Sequence, residues 1–175
     1  MDGYYNSLLT QLKCVITSVW FNDYNEDVIS ELTIPNALLN LPPGDVAERC
    51  RFFSGDWSHL EANFLEKENK KFDLILTSET IYNIDNQSKL VSIFQKFLND
   101  DGHVLVAGKT QYFGVGGGMR QFETLVRRSD LECSSVKTFD AGVKREILKI
   151  TTRKYILPIY KFGLGVMYYC IITYL

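Results

Sequence analysis

The sequence is poor in metal ligands. Its two histidines, His59 and His103, stand far apart, and its four cysteines (Cys14, Cys50, Cys133 and Cys170) are scattered singly, without a CxxC pair. Structural zinc needs such ligands at close spacing, so no metal site is expected. Lone cysteines of this kind suit a reducing, intracellular compartment. Neither sign of charge dominates: 19 Lys and Arg against 21 Asp and Glu leave a net charge of −2. That balance lacks the basic excess of a nucleic-acid surface. Repeats and low-complexity linkers are missing too, and no basic segment leading into an apolar core suggests a secretory signal. What is present, 175 residues of which 46% are hydrophobic, suffices for one domain with a real core.

Strand-like and helix-like patterns alternate along the chain. SVWFND (18–23) is a short β-prone run. EDVISEL (26–32) follows with apolar residues at helical spacing, and Pro35 is expected to end or kink that helix. CRFFSGDW (50–57) reads as a second strand stopped at Ser54-Gly55. FDLILTS (72–78) reads as a third, and its continuous apolar run suits a central strand buried on both faces. Leu90, Ile93, Phe94, Phe97 and Leu98 give the helix over 86–98 one apolar face. NDDG (99–102) predicts a turn and HVLVAGK (103–109) a fourth strand. Met119, Phe122, Leu125 and Val126 share a face of the next helix. ECSSVKTF (132–139) and REILKITT (145–152), joined at Ala141-Gly142, predict an antiparallel hairpin. The fold class is α/β, a Rossmann-like, mostly parallel sheet closing with that hairpin.

YFGVGGG (112–118) packs four glycines into five positions, directly after AGKT (107–110). A P-loop, G-x-x-x-x-G-K-[ST], would need glycine where His103 stands, and G-x-G-x-x-G would need one at Met119. Both patterns fail, which sets AGKT aside and leaves a flexible turn into a helix. In parallel sheets ligands bind at the carboxyl ends of strands. Those ends carry Asp23-Tyr24-Asn25, Gly55-Asp56-Trp57 and Thr77-Ser78-Glu79. A carboxylate suits the vicinal hydroxyls of a ribose, and an acid beside an aromatic suits an adenine, by hydrogen bond and by stacking. In this order they favour an adenosine-containing ligand.

FDLILTSETIYN (72–83) and YFGVGGG closely resemble the histidine protein methyltransferases, a branch of the seven-stranded enzymes that use S-adenosylmethionine. FNDYNEDVI (21–29) with TIPN (33–36), and CRFFSGDW, match that family in the same order, so the resemblance runs from about Val19 to about Thr152. It implies methyl transfer from S-adenosylmethionine to a histidine of a protein substrate, in related enzymes a large-subunit ribosomal protein. A monomer of the cytoplasm and nucleus is expected, without direct nucleic-acid or membrane contact. By the same resemblance Asp23 would hold the ribose and Asp56 with Trp57 the adenine, with Tyr24, Asn25 and Gly55 as further cofactor-binding positions. Ser78 would lie near the cofactor's methionine part. Glu79-Thr80-Ile81-Tyr82 matches the acid-x-x-aromatic signature of the acceptor pocket, which makes Glu79 and Tyr82 the catalytic candidates. Tyr112, Phe113, Gly114 and Gly116 would form a flexible, substrate-binding wall. The sulfonium is already activated, so alignment is the main task. A histidine of pKa ~6.5 is largely neutral near pH 7. One ring nitrogen attacks while the other N–H is held, by Glu79 or Tyr82. The plainer readings are that Glu79 caps the next helix and that Tyr82 packs in the core. A protein-lysine methyltransferase shares the signature, and a non-catalytic protein-binding remnant is a further alternative.

The family's enzymes open with a strand and a loop of the form L-x-L-G-x-G-x-G, whereas residues 1–18 hold only Gly3. The chain therefore divides into a divergent segment (1–18), an incomplete methyltransferase domain (19–152) and an apolar extension (153–175). The extension approaches the ~20 residues of a membrane span, but Lys161, Pro158 and two glycines interrupt it. A strand-prone segment in need of cover is expected instead. Without a first strand, exposed sheet edges, aggregation and weak or no S-adenosylmethionine binding are expected, with activity lost or reduced.

Overall fold

Trp20 and Phe21 divide the molecule into layers, because successive side chains of a strand point to opposite faces. Both lie on strand β1 (Ile16–Asp23). Trp20 is buried against Phe53 and Phe72, with ring centroids 4.9 and 5.7 Å away. Phe21 stacks on Phe52 at 5.1 Å, on a smaller cluster of Ala37, Val46 and Cys50. The computed structural model describes residues 16–114, 116–153 and 168–174.

After β1 come helix α1 (Glu26–Val28), a π-helical turn (Ile29–Thr33), α2 (Ile34–Asn40) and α3 (Pro43–Arg49). Strand β2 (Cys50–Ser54) leads into α4 (Trp57–Leu60), a second π-helical turn (Glu61–Leu65) and α5 (Glu66–Glu68). Then follow β3 (Phe72–Ser78), α6 (Ile84–Phe97), β4 (Leu98–Lys109) and α7 (Met119–Arg127). The described chain closes with β5 (Leu131–Phe139), β6 (Arg145–Thr152) and β7 (Tyr168–Tyr174). Helices α4, α6 and α7 supply Trp57, Leu60, Leu90, Phe94, Met119 and Phe122 to the main core. Phe94 meets Phe122 edge-on at 6.4 Å, which ties α6 to α7. Helices α2 and α3 cover the opposite face through Ala37 and Val46.

The strands form one sheet in the order β2-β1-β7-β3-β4-β6-β5. The first five in that order run parallel, and β6 is antiparallel to both β4 and β5. The expected Rossmann-like class and the hairpin of 131–152 are both present, but the hairpin is not the sheet's last element.

Three expectations change. The edges of β1 and β3 are not bare, because β7 lies between them and pairs in parallel with both. Residues 168–174 of the apolar extension are therefore part of the sheet, and the rest of that segment lies outside the described residues. Pro35 does not end the helical stretch. It falls in the first turn of α2, where a missing N–H breaks no helical bond, and the π-helical turn ahead of it absorbs the irregularity. The predicted turn at 99–102 falls inside β4 at a shift of register, since Phe72 pairs with Leu98 but Leu74 with His103. No helix among the described residues is long and apolar enough to cross a membrane.

Candidate active site

Two groups of side chains lie at the carboxyl edge of the parallel strands. The first is at the ends of β1 and β2, which are stitched together by the Gly55 N–H donating to the Asp23 carbonyl at 2.9 Å. Gly55 has φ +109°, a conformation that glycine adopts without steric cost. Asp23 is only 2% exposed. One carboxylate oxygen accepts from the Asn25 N–H at 2.8 Å. No donor among the described residues reaches the other. A buried acceptor left open in this way fits a ribose diol, which would satisfy it.

Asp56 caps α4, its Oδ1 accepting from the Ser58 N–H at 2.8 Å, and its Oδ2 accepts from Lys89 Nζ of α6 at 2.7 Å. Partial burial opposes its ionisation, but the Lys89 and Ser58 hydrogen bonds outweigh that and hold the carboxyl below its ordinary range. Each carboxylate oxygen retains a second lone pair for an adenine amino group. The expected stacking of the Trp57 ring does not hold. Trp57 is 5% exposed and belongs to the main core with Trp20 and Leu60, so only its main chain is left to face an adenine. Tyr24 and Asn25 are exposed beside Asp23, and Ser78 ends β3 level with Ala107 of β4.

The second group surrounds an open cavity of about 690 Å³ lined by Glu79, Tyr82, Lys109, Gln111, Tyr112, Phe113, Val143 and Arg145. Glu79 follows β3 directly and has φ +57°, the left-handed region where a side chain is strained. Its N–H donates to the Ala107 carbonyl at 2.9 Å, which holds this conformation in place. The carboxylate accepts from the Tyr112 hydroxyl at 2.9 Å and faces Arg145 Nε at 3.7 Å. Glu79 therefore does not cap the next helix; Asn83 does, accepting from the Asp85 N–H. The loop between is anchored by buried Gln87, whose side-chain amide donates to the Ile81 carbonyl at 2.7 Å. Tyr82 is only partly buried and lines the cavity, its ring 6.1 Å from that of Tyr112.

The glycine run is not a flexible wall. A β-carbon on Gly117 would stand 2.3 Å from the Tyr82 carbonyl oxygen, so only glycine lets the two loops meet. The turn closes on itself, with the Tyr112 N–H donating to Gly117 O at 3.0 Å and Met119 N–H to Thr110 O at 3.1 Å. It turns Tyr112 inward, 8% exposed, and Phe113 outward, 82% exposed. Gly114 and Gly116, both at positive φ, shape this turn without lining the cavity. AGKT has a use here as well. The Lys109 N–H donates to the Tyr112 oxygen at 3.1 Å, and a β-carbon on Gly108 would meet that oxygen at 2.8 Å. Burial, together with the Glu79 carboxylate, pushes the Tyr112 hydroxyl up to about 12, although the Lys109 N–H works against it.

Sequence reasoning missed Lys109 and Gln111, and also Val143 and Arg145, which reach the cavity from the β5–β6 connection and the first position of β6, because no local pattern links them to Glu79. The start of β6 is fixed by Glu146, buried and ion-paired with Arg120 of α7. Burial disfavours its charge, but the Arg120 and Ser135 hydrogen bonds prevail and hold its carboxyl below the ordinary range.

A family model described as lysine methyltransferase matches residues 8–119. The chain belongs to that family. The chain is also similar to curated proteins named histidine protein methyltransferase 1 homolog. The one from Dictyostelium discoideum is 41% identical over 138 residues, covering 77% of this chain and 43% of that protein. The one from Mus musculus is 38% identical over 165 residues, covering 82% of this chain and 46% of that protein. The chain thus spans less than half the length of these relatives. In fold it is similar to a TehB-like SAM-dependent methyltransferase from Corynebacterium glutamicum, with a TM-score of 0.50 at 17% identity over 86% of this chain and 89% of that one. The family and this fold agree with S-adenosylmethionine as the cofactor.

Proposed function

We propose that the protein is an S-adenosylmethionine-dependent protein-histidine N-methyltransferase. The observation that carries this reading is the Glu79 carboxylate, held in a strained conformation with one oxygen taken by Tyr112 and the other facing the cavity beside Arg145 Nε, 3.7 Å away and beyond hydrogen-bond distance. An imidazole entering that cavity would donate its N–H to the remaining oxygen, which leaves its second nitrogen free and oriented. A neutral imidazole needs no base before it attacks, so the site's contribution is alignment. Tyr82, Phe113 and Val143 supply apolar contact for the ring and its backbone.

Bound S-adenosylmethionine would supply an electrophilic methyl group. Asp23 would hold the ribose, Asp56 and the main chain at Gly55 and Trp57 the adenine, and Ser78 would lie beside the amino-acid part. The substrate is a protein, and we take it to be a large-subunit ribosomal protein, met by a monomer in the cytoplasm and nucleus. The family model's description favours lysine as the competing acceptor. A lysine ammonium would be drawn to Glu79 as well, but must lose a proton before it can attack.

The test is methyl transfer from labelled cofactor to protein acceptor by the wild type and by Glu79→Gln, which keeps the side chain's shape. Transfer should fall ~100-fold or more in the variant, while binding of S-adenosylhomocysteine is unchanged. Equal transfer by the two proteins would overturn the role of Glu79.

A further inference from the structure

Every other strand of the parallel set ends at or beside residues already assigned: β1 at Asp23 and Asn25, β2 at Gly55 and Asp56, β3 at Glu79, β4 at Lys109. Strand β7 has no assigned role, yet it occupies the middle of that set. Its register is the same on both sides: Cys170 pairs with Val19 and Leu74, Ile172 with Phe21 and Leu76, and Tyr174 with Asp23 and Ser78. The carboxyl end of β7 is thereby level with the two residues proposed to hold the ribose and the amino-acid part of the cofactor. Strands lie ~4.8 Å apart, so Asp23 and Ser78 flank Tyr174 with about 10 Å between them.

The route of the chain permits this placement. Strand β6 runs antiparallel to β4, so it ends at the edge where the parallel strands begin, and β7 starts from that edge. Crossing three strand spacings takes about 14 Å. The segment 153–167 can span up to ~50 Å.

We propose that β7 forms the floor of the cofactor crevice, with the main chain at Thr173 and Tyr174 lying under the bound nucleoside between Asp23 and Ser78. The inference rests on the proposed cofactor reading, and it gives strand β7 a part in cofactor binding beside the ends of β1, β2 and β3. In open parallel sheets the crevice opens above the carboxyl ends of central strands, and β7 is the central one here.

Hydrogen–deuterium exchange of the full chain, with and without saturating S-adenosylhomocysteine, tests this. Without ligand, amides at 170–172 should exchange as slowly as those at 74–76, within about tenfold, because both belong to interior strands. With ligand, exchange should slow at 173–174 together with 23–25 and 55–57. Rapid exchange at 170–172 would overturn the placement of the strand. Slowing at 23–25 and 55–57 without any at 173–174 would overturn its role as the floor. If the ligand slows none of these segments while 170–172 stays protected, the cofactor reading fails and takes the floor with it, but the strand's position survives.

Discussion

The Tyr112 hydroxyl donates to the Glu79 carboxylate at 2.9 Å and itself accepts the Lys109 N–H at 3.1 Å. Tyr112→Phe keeps the ring and removes both bonds. A hydrogen bond to a charged group contributes about 1.5–3 kcal/mol, so methyl transfer should drop roughly 10-fold or more as Glu79 loses its orientation. The pH dependence has a definite sign. The folded-state value of about 12 lies above the ordinary 10, so the folded protein keeps a proton that the unfolded chain releases. Stability from this group is intact below pH 10 and is lost as pH rises from 10 to 12. Denaturant titrations should show a steeper decline there for the wild type than for the variant.

Glu79 sits at φ +57°, which glycine tolerates and alanine does not. Glu79→Gly should therefore be more stable than Glu79→Ala, by about 1 kcal/mol, reversing the order seen in ordinary helix and strand positions. Both variants should be inactive. Thermal unfolding measures the first outcome and methyl transfer the second.

Gly117→Ala forces a β-carbon against the Tyr82 carbonyl. Overpacking of this kind costs about 1–3 kcal/mol, and here it also parts the two loops that carry Tyr82 and Tyr112. Stability and transfer should fall together. Gly44→Ala is the control: it lies in α3 with nothing within 4 Å of the added carbon. It should leave transfer unchanged and stabilise by about 0.4–1 kcal/mol.

The proposed cofactor residues Asp23 and Asp56 serve the adenosine part, whereas the 175 residues contain no L-x-L-G-x-G-x-G run for the rest. Isothermal titration should give a dissociation constant for S-adenosylhomocysteine weaker than micromolar. Asp23→Asn should weaken it by a further ~10-fold or more, because a charged acceptor for the ribose diol is lost. An unchanged constant in that variant would remove Asp23 from the site.

Much of this was legible from local pattern. The bounds of β3 and β6 follow from their apolar runs, and the acidic residues at the ends of β1 and β2 stand where a parallel sheet puts its ligands. What was hidden depends on contacts distant in sequence. Trp57 reads as a stacking platform until Trp20 and Leu60 are seen around it. GVGGG reads as slack until the Tyr82 carbonyl is found against Gly117. AGKT reads as chance until Gly108 is seen to make room for the Tyr112 hydroxyl. The role of the extension was least accessible, because a continuous apolar run does not announce which pair of strands it will join.

The central claim is that the methyl group goes to a histidine. The most direct measurement is tandem mass spectrometry of large-subunit ribosomal proteins incubated with this chain and saturating S-adenosylmethionine. The account predicts a single added methyl on a histidine ring, absent with Glu79→Gln. A methyl on lysine, or the same histidine methylation with the variant, would contradict it.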